Sequence, residues 1–156
     1  MKEEPTPSNR QELKKLLSLV DVGKEEIEEV GRRLYGNFKF GSMGQVHTVY
    51  DAFHSVKDLM VISPTGSGKS NAYKMAILME KRLRLPFVSF IICPFISLLE
   101  DVKVKLKELG ELEVEIFDSD MVHEYYSNCD IIVLQLEKVQ EAAGLVRYFE
   151  SGSVFR

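Results

Sequence analysis

The sequence predicts an α/β protein built on a parallel sheet with helices covering it in three layers. Three observations predict it. Short apolar runs alternate four times with helix-patterned runs along the 156 residues. Two of the apolar runs, Phe87-Val88-Ser89-Phe90-Ile91-Ile92-Cys93 and Ile131-Ile132-Val133-Leu134, are apolar at nearly every position, as strands covered on both faces are. Each connection is long enough to hold a crossover helix, which parallel neighbours require.

The composition sets bounds. Apolar residues make up 45% of the chain, enough for a core, and the length fits one domain. The net charge of −4 excludes nucleic-acid binding by bulk charge and leaves room only for a local basic strip. Two cysteines, Cys93 and Cys129, make neither a disulfide framework nor a zinc site. Cys93 reads as a small buried hydrophobe at a strand end. No apolar run reaches membrane length, and none follows Met1 as a signal-peptide core, so a soluble cytosolic or nuclear protein is expected.

Residues 1–9 are polar and contain two prolines, and are expected to form a flexible tail. A helical extension is expected over 10–36. Its first helix is capped by Ser8 and faced by Leu13, Leu16, Leu17 and Val20; its second holds Ile27, Val30 and Leu34. A loop with Phe38, Phe40 and Gln45 leads to a helix through Val46, Val49, Tyr50 and Phe53. The first strand is expected over 58–62, the second over 87–93, closed by Pro94. An amphipathic helix is expected over 96–109, with Gly110 past its end. A third strand covers 112–117, a helical turn 122–126, a fourth strand 131–134 and a last helix 138–150. Residues 37–156 form the α/β domain in this reading.

The chemistry gathers at Ser63-Pro64-Thr65-Gly66-Ser67-Gly68-Lys69-Ser70. An apolar run enters this stretch and a helix-forming run leaves it, which is the context a phosphate-binding loop needs. Gly66 and Gly68 lack Cβ, so Thr65, Gly66, Ser67 and Gly68 can close their backbone N–H groups around phosphate oxygens. The helix that follows turns its free N–H groups toward the same anion. Lys69 would reach the outer phosphates and the Ser70 hydroxyl would ligate Mg²⁺. Ser63 stands where the motif commonly begins with Gly or Ala.

Hydrolysis also asks for a carboxylate that holds the metal. Such an Asp commonly ends an apolar strand. Asp118 ends one that Glu115 interrupts, and 131–134 is followed by Gln135 and then Glu137. Neither is a good match. His47, His54 and His123 share no ligand spacing, and Tyr125-Tyr126 reads as packing.

The octet at 63–70 resembles motif I of the superfamily 2 helicases. Cys93-Pro94-Phe95-Ile96-Ser97-Leu98-Leu99-Glu100-Asp101-Val102 resembles motif Ia of their RecQ branch. Phe40 with Gln45 is similar to the adenine-reading motif upstream of motif I, and Leu136-Glu137-Lys138-Val139 sits where motif Ib lies. The layout from Phe40 to Gln45 is also similar to fungal subtelomeric Y-prime-type helicases. The resemblance covers about residues 34–156.

It implies a RecA-like motor domain that binds ATP and Mg²⁺ and contacts single-stranded DNA, in the nucleus. Lys69 and Ser70 would hold phosphates and metal, Gln45 would read the adenine edge, and Ser97 would touch the strand's phosphates. Gly41 departs from the Arg that the family places after the Phe. The family's Asp-Glu-Ala-His box, its Ser-Ala-Thr motif and its second motor domain do not appear in the sequence. The chain is therefore expected to be the front part of a DNA helicase or translocase, with no ATP turnover of its own. Two alternatives stay open: a non-catalytic module that binds nucleotide or DNA, and a small P-loop kinase or GTPase. The last lacks both an Asn-Lys-x-Asp motif and an arginine-rich lid, since Arg82 and Arg84 follow the phosphate-loop helix.

Overall fold

A computed structural model of the chain describes residues 24–35, 43–54, 60, 62, 69–82 and 88–151. These fall in two compact units. The first holds three helices, α1 (Lys24–Tyr35), α2 (Met43–His54) and α3 (Lys69–Arg82). The second holds strands β1 (Ser89–Cys93), β2 (Val114–Ile116) and β3 (Ile131–Gln135), helices α4 (Ser97–Lys107) and α5 (Ala143–Glu150), and two 3-10 turns, His123–Tyr126 and Leu136–Lys138.

In the helical unit the three helices pack pairwise. Helix α1 buries Ile27 and Val30, and α2 buries Val46, Val49 and Phe53, each set at the three-to-four spacing of one helix face. Helix α3 buries five residues in a row, Met75, Ala76, Ile77, Leu78 and Met79. A helix buried all round needs no polar stripe over that stretch, which is why its sequence shows little amphipathic period.

The sheet is parallel, in the order β1-β3-β2, with β3 in the middle. Register pairs Ser89 with Ile131 and Cys93 with Gln135 on one side, and Val114 with Ile131 on the other. The central strand is the one that reads as covered on both faces: Ile131, Ile132, Val133 and Leu134 are all buried. Asp130 ties the strand starts together. Its carboxylate accepts from the Glu113 N–H at 2.8 Å, and its own N–H donates to the Glu113 carbonyl at 2.9 Å. Helix α4 packs on β2 and β3, and its Lys103 reaches Glu115 on β2 at 3.1 Å. Ile132, Tyr126, Leu145 and Phe149 form a buried cluster against which Phe90, Phe117 and Tyr148 pack.

The alternation of strand and helix expected from the sequence is present, with several shifts. Met60 and Ile62 lie in neither strand nor helix and are 84% and 88% exposed, whereas a strand is expected there. An apolar run becomes a strand only when a neighbour supplies ladder hydrogen bonds, and no described strand pairs with them. Strand β1 is less covered than its composition suggests. It has β3 on one side only among the described residues, and Ile92 is half exposed. The helix expected over 138–150 divides. The chain leaves β3 through a 3-10 turn and becomes α-helical only at Ala143, where Leu145 and Phe149, four apart, enter the core. Helix α4 ends at Lys107 and the turn after it is completed by Gly110 at φ +77°, a left-handed conformation that suits glycine. The helix expected after Ser8 lies outside the described residues.

Candidate nucleotide and nucleic-acid site

In the helical unit, α3 starts at Lys69, with Ser70 exposed on its first turn. Thr65, Gly66, Ser67 and Gly68, as well as Phe40, lie outside the described residues, as does the Lys69 side chain. Gln45 stands at the third position of α2 and is half-buried. Helices α2 and α3 pack against each other, so the fold places the adenine-site and metal-site candidates on neighbouring helices, each near its helix start. The first N–H groups of a helix have no intrahelical acceptor, so the start of α3 has the electrostatics an anion needs.

Sequence reasoning did not single out one group in this unit. Glu80 closes the buried run of α3, and burial raises its carboxyl to about 7 from an ordinary value of 4.5. It makes no ion pair among the described residues. The signal was available in principle: an acid directly after five apolar residues of a helix that has no polar stripe.

In the sheet unit, Ser97 is the first residue of α4 and is exposed. The cap position falls on Ile96, which has helical dihedrals and no side-chain cap. The first turn is instead closed by backbone, with the Leu98 N–H donating to the Phe95 carbonyl at 3.1 Å and the Leu99 N–H to the Ile96 carbonyl at 3.2 Å. The Ser97 hydroxyl is therefore not used in capping. It stands just beyond the carboxyl end of β1, the edge where parallel α/β sheets bind ligands.

The metal candidates are otherwise engaged or dispersed. Asp118 lies just beyond β2, exposed, and its carboxylate accepts from the Asp120 N–H at 2.9 Å in a local turn. Glu137 is exposed in the 3-10 turn after β3. No group of three His, Cys, Asp or Glu residues among the described residues converges as a metal site. His47 is exposed, and His123 packs on Tyr148 with ring centres 5.6 Å apart. The thiols are poor nucleophiles. Burial raises Cys93, and burial followed by the nearby Glu115 raises Cys129 to about 11.

Tyr126 does more than pack. Its side chain is fully buried, and its hydroxyl accepts from the Asp118 N–H at 2.7 Å and donates to the Asp118 carbonyl at 3.1 Å. One oxygen thus satisfies both backbone groups of Asp118, the second residue past β2, and fixes the turn there.

The fold and these positions define a parallel-sheet α/β protein. Residues 44–151 match the DEAD/DEAH box helicase family model. The chain belongs to the DEAD/DEAH box helicase family. It is also similar to RecQ-like helicases. It is 43% identical over 53 residues to the RecQ-like DNA helicase blm-1 of Caenorhabditis elegans, covering 34% of this chain and 5% of that protein. To the ATP-dependent DNA helicase Q1 of Rattus norvegicus it is 35% identical over 85 residues, 54% of this chain and 13% of that protein. To the same-named helicase of Mus musculus it is 43% identical over 54 residues, 35% of this chain and 8% of that protein. The matched part is thus a small share of each relative's length. Nucleotide and nucleic acid are the ligands of a helicase family. No helix among the described residues is long and apolar enough to cross a membrane.

Proposed function

We infer that this chain is the ATP-binding part of an ATP-dependent DNA helicase or translocase. The observation that supports it most is the Gly68-Lys69-Ser70 sequence, in which a glycine-rich stretch of sequence runs into the start of α3. In this reading Thr65 to Gly68 cradle the phosphates, Lys69 binds the outer ones, Ser70 holds Mg²⁺ and Gln45 reads adenine. Mg²⁺ would neutralise phosphate charge; the chain's own residues orient the nucleotide. Exposed Ser97 contacts the phosphates of single-stranded DNA. Residues 1–9 are a tail, 10–36 a helical extension and 37–156 the RecA-like part, and the protein works in the nucleus.

A second reading, a module that binds nucleotide without turnover, is supported by Asp118. The best-placed strand-end aspartate uses its carboxylate to close its own turn.

The test is a calorimetric titration with Mg-ADP. Lys69→Ala should weaken binding by about 2–3 kcal/mol, on the order of 50-fold, because a charge-assisted contact to phosphate is lost. Equal affinity in the variant would remove the phosphate-loop assignment. Phosphate release stimulated by single-stranded DNA, lost in Lys69→Ala, would decide for the motor over the binding module.

A further inference from the structure

We propose that Lys103 and Glu115 form a strap across the outer edge of β2, and that this strap keeps the edge closed to strand addition by a second copy of the chain. The inference goes beyond the nucleotide reading and does not depend on it.

The connections decide which face each residue occupies. In the order β1-β3-β2 the chain crosses from β1 to β2 in one direction and returns from β2 to β3 in the other. Crossovers between parallel strands are right-handed, so these two connections lie on opposite faces of the sheet. The first carries α4 and the second carries the His123–Tyr126 turn. Tyr126 shares its buried cluster with Ile132, Leu145 and Phe149, and no residue of α4 belongs to it. Glu115 pairs with Ile132 in register, so its side chain stands on the Tyr126 face. Val114 and Ile116 stand on the α4 face.

Lys103 therefore starts on one face and meets Glu115 on the other, at 3.1 Å. The ladder between β2 and β3 leaves no passage through the sheet, so the lysine side chain runs round the outer side of β2. Cys129 senses both charges from the Tyr126 face. Its thiol packs on that cluster; burial first and then Glu115 raise it to about 11, while Lys103 acts in the opposite sense.

The outer side of β2 is also where its spare backbone groups point. The Ile131 N–H donates to the Glu113 carbonyl at 3.1 Å, and the Phe117 N–H to the Val133 carbonyl at 2.8 Å. Alternation along the strand turns the N–H and C=O groups of Val114 and Ile116 away from β3, where no described strand pairs with them. Such a row is a template for another strand, and two copies related by a twofold axis would match it, β2 against β2. Val114 is nevertheless only 1% exposed. A lysine stem laid over the edge excludes a second strand, and the ion pair holds the stem in place. This gives a reason for Glu115, a charge between the two apolar residues of a three-residue strand.

The test compares the full chain with Lys103→Ala, Glu115→Gln and a control, Lys105→Ala, whose pair with Asp101 lies on the exposed side of α4. Amide exchange is followed in dilute solution at Val114, Ile116 and Val133, and self-association by sedimentation over a range of concentrations. In Lys103→Ala and Glu115→Gln, exchange at Val114 and Ile116 should quicken about tenfold or more while Val133 holds, and self-association should tighten by about tenfold or more. Added salt should quicken the same two amides in wild type. Lys105→Ala should match wild type throughout. Unchanged exchange at Val114 and Ile116, an equal rise at Val133, or unchanged self-association would overturn the proposal. Glu115→Gln preserves the shape of the strand, so it decides the matter even where Lys103→Ala fails to fold.

Discussion

Each of the two units draws a polar group out of water, one fully and one in part, and they treat it in opposite ways. In the sheet unit Tyr126 is fully buried, and its hydroxyl is matched twice to the backbone of Asp118. In the helical unit Glu80 is partly buried with no ion pair among the described residues, and desolvation raises its carboxyl to about 7. The matched group strengthens the fold at any pH below its own titration, whereas the unmatched one makes the fold sensitive to pH. Burial alone therefore does not say what a polar residue contributes; its partners do.

The largest effect should come from the apolar frame around the matched group. Leu145→Ala removes a fully buried side chain from the cluster with Tyr126 and should cost about 3 kcal/mol, read as the midpoint shift in urea denaturation. A loss below about 1 kcal/mol would mean that this cluster packs loosely. Glu80→Gln sharpens the other side of the comparison. The folded acid holds a proton that the unfolded chain releases between about 4.5 and 7, so Glu80 costs stability as pH rises through that window, in full above it. The neutral variant should be more stable than wild type by about 2 kcal/mol at pH 8 and equal to it at pH 4. A gain of the same size at both values would show that the carboxylate is not the cause. Smallest is Tyr126→Phe, about 1–2 kcal/mol, since only the hydroxyl is lost while the ring stays in place. Faster amide exchange at Asp118 should accompany it, and unchanged exchange there would break the comparison.

The candidate site could be read where its chemistry is local. Gly-Lys-Ser ahead of a helix-forming run could be read directly, and the structure starts α3 at Lys69. Ser97 is a candidate by motif alone, and the structure adds that its hydroxyl is not a cap. Tyr126 was read only as packing, because its partner Asp118 stands eight residues away across a turn that no pattern encodes. Glu80 was passed over because charged residues in helices are commonly solvated, and whether one is covered depends on which helices pack beside it.

The sequence by itself determined the class of the fold, the faces of α1 and α2, the apolar strand at 131–134 and the helix start near Lys69. These are properties of neighbouring residues: period, glycine freedom and helix ends. Only the tertiary structure decided that β3 is the central strand, that Met60 and Ile62 are irregular and exposed, and that α5 waits until Ala143 to begin. Each of these depends on a partner far along the chain, either a ladder strand or a core to enter, and local patterning cannot name that partner.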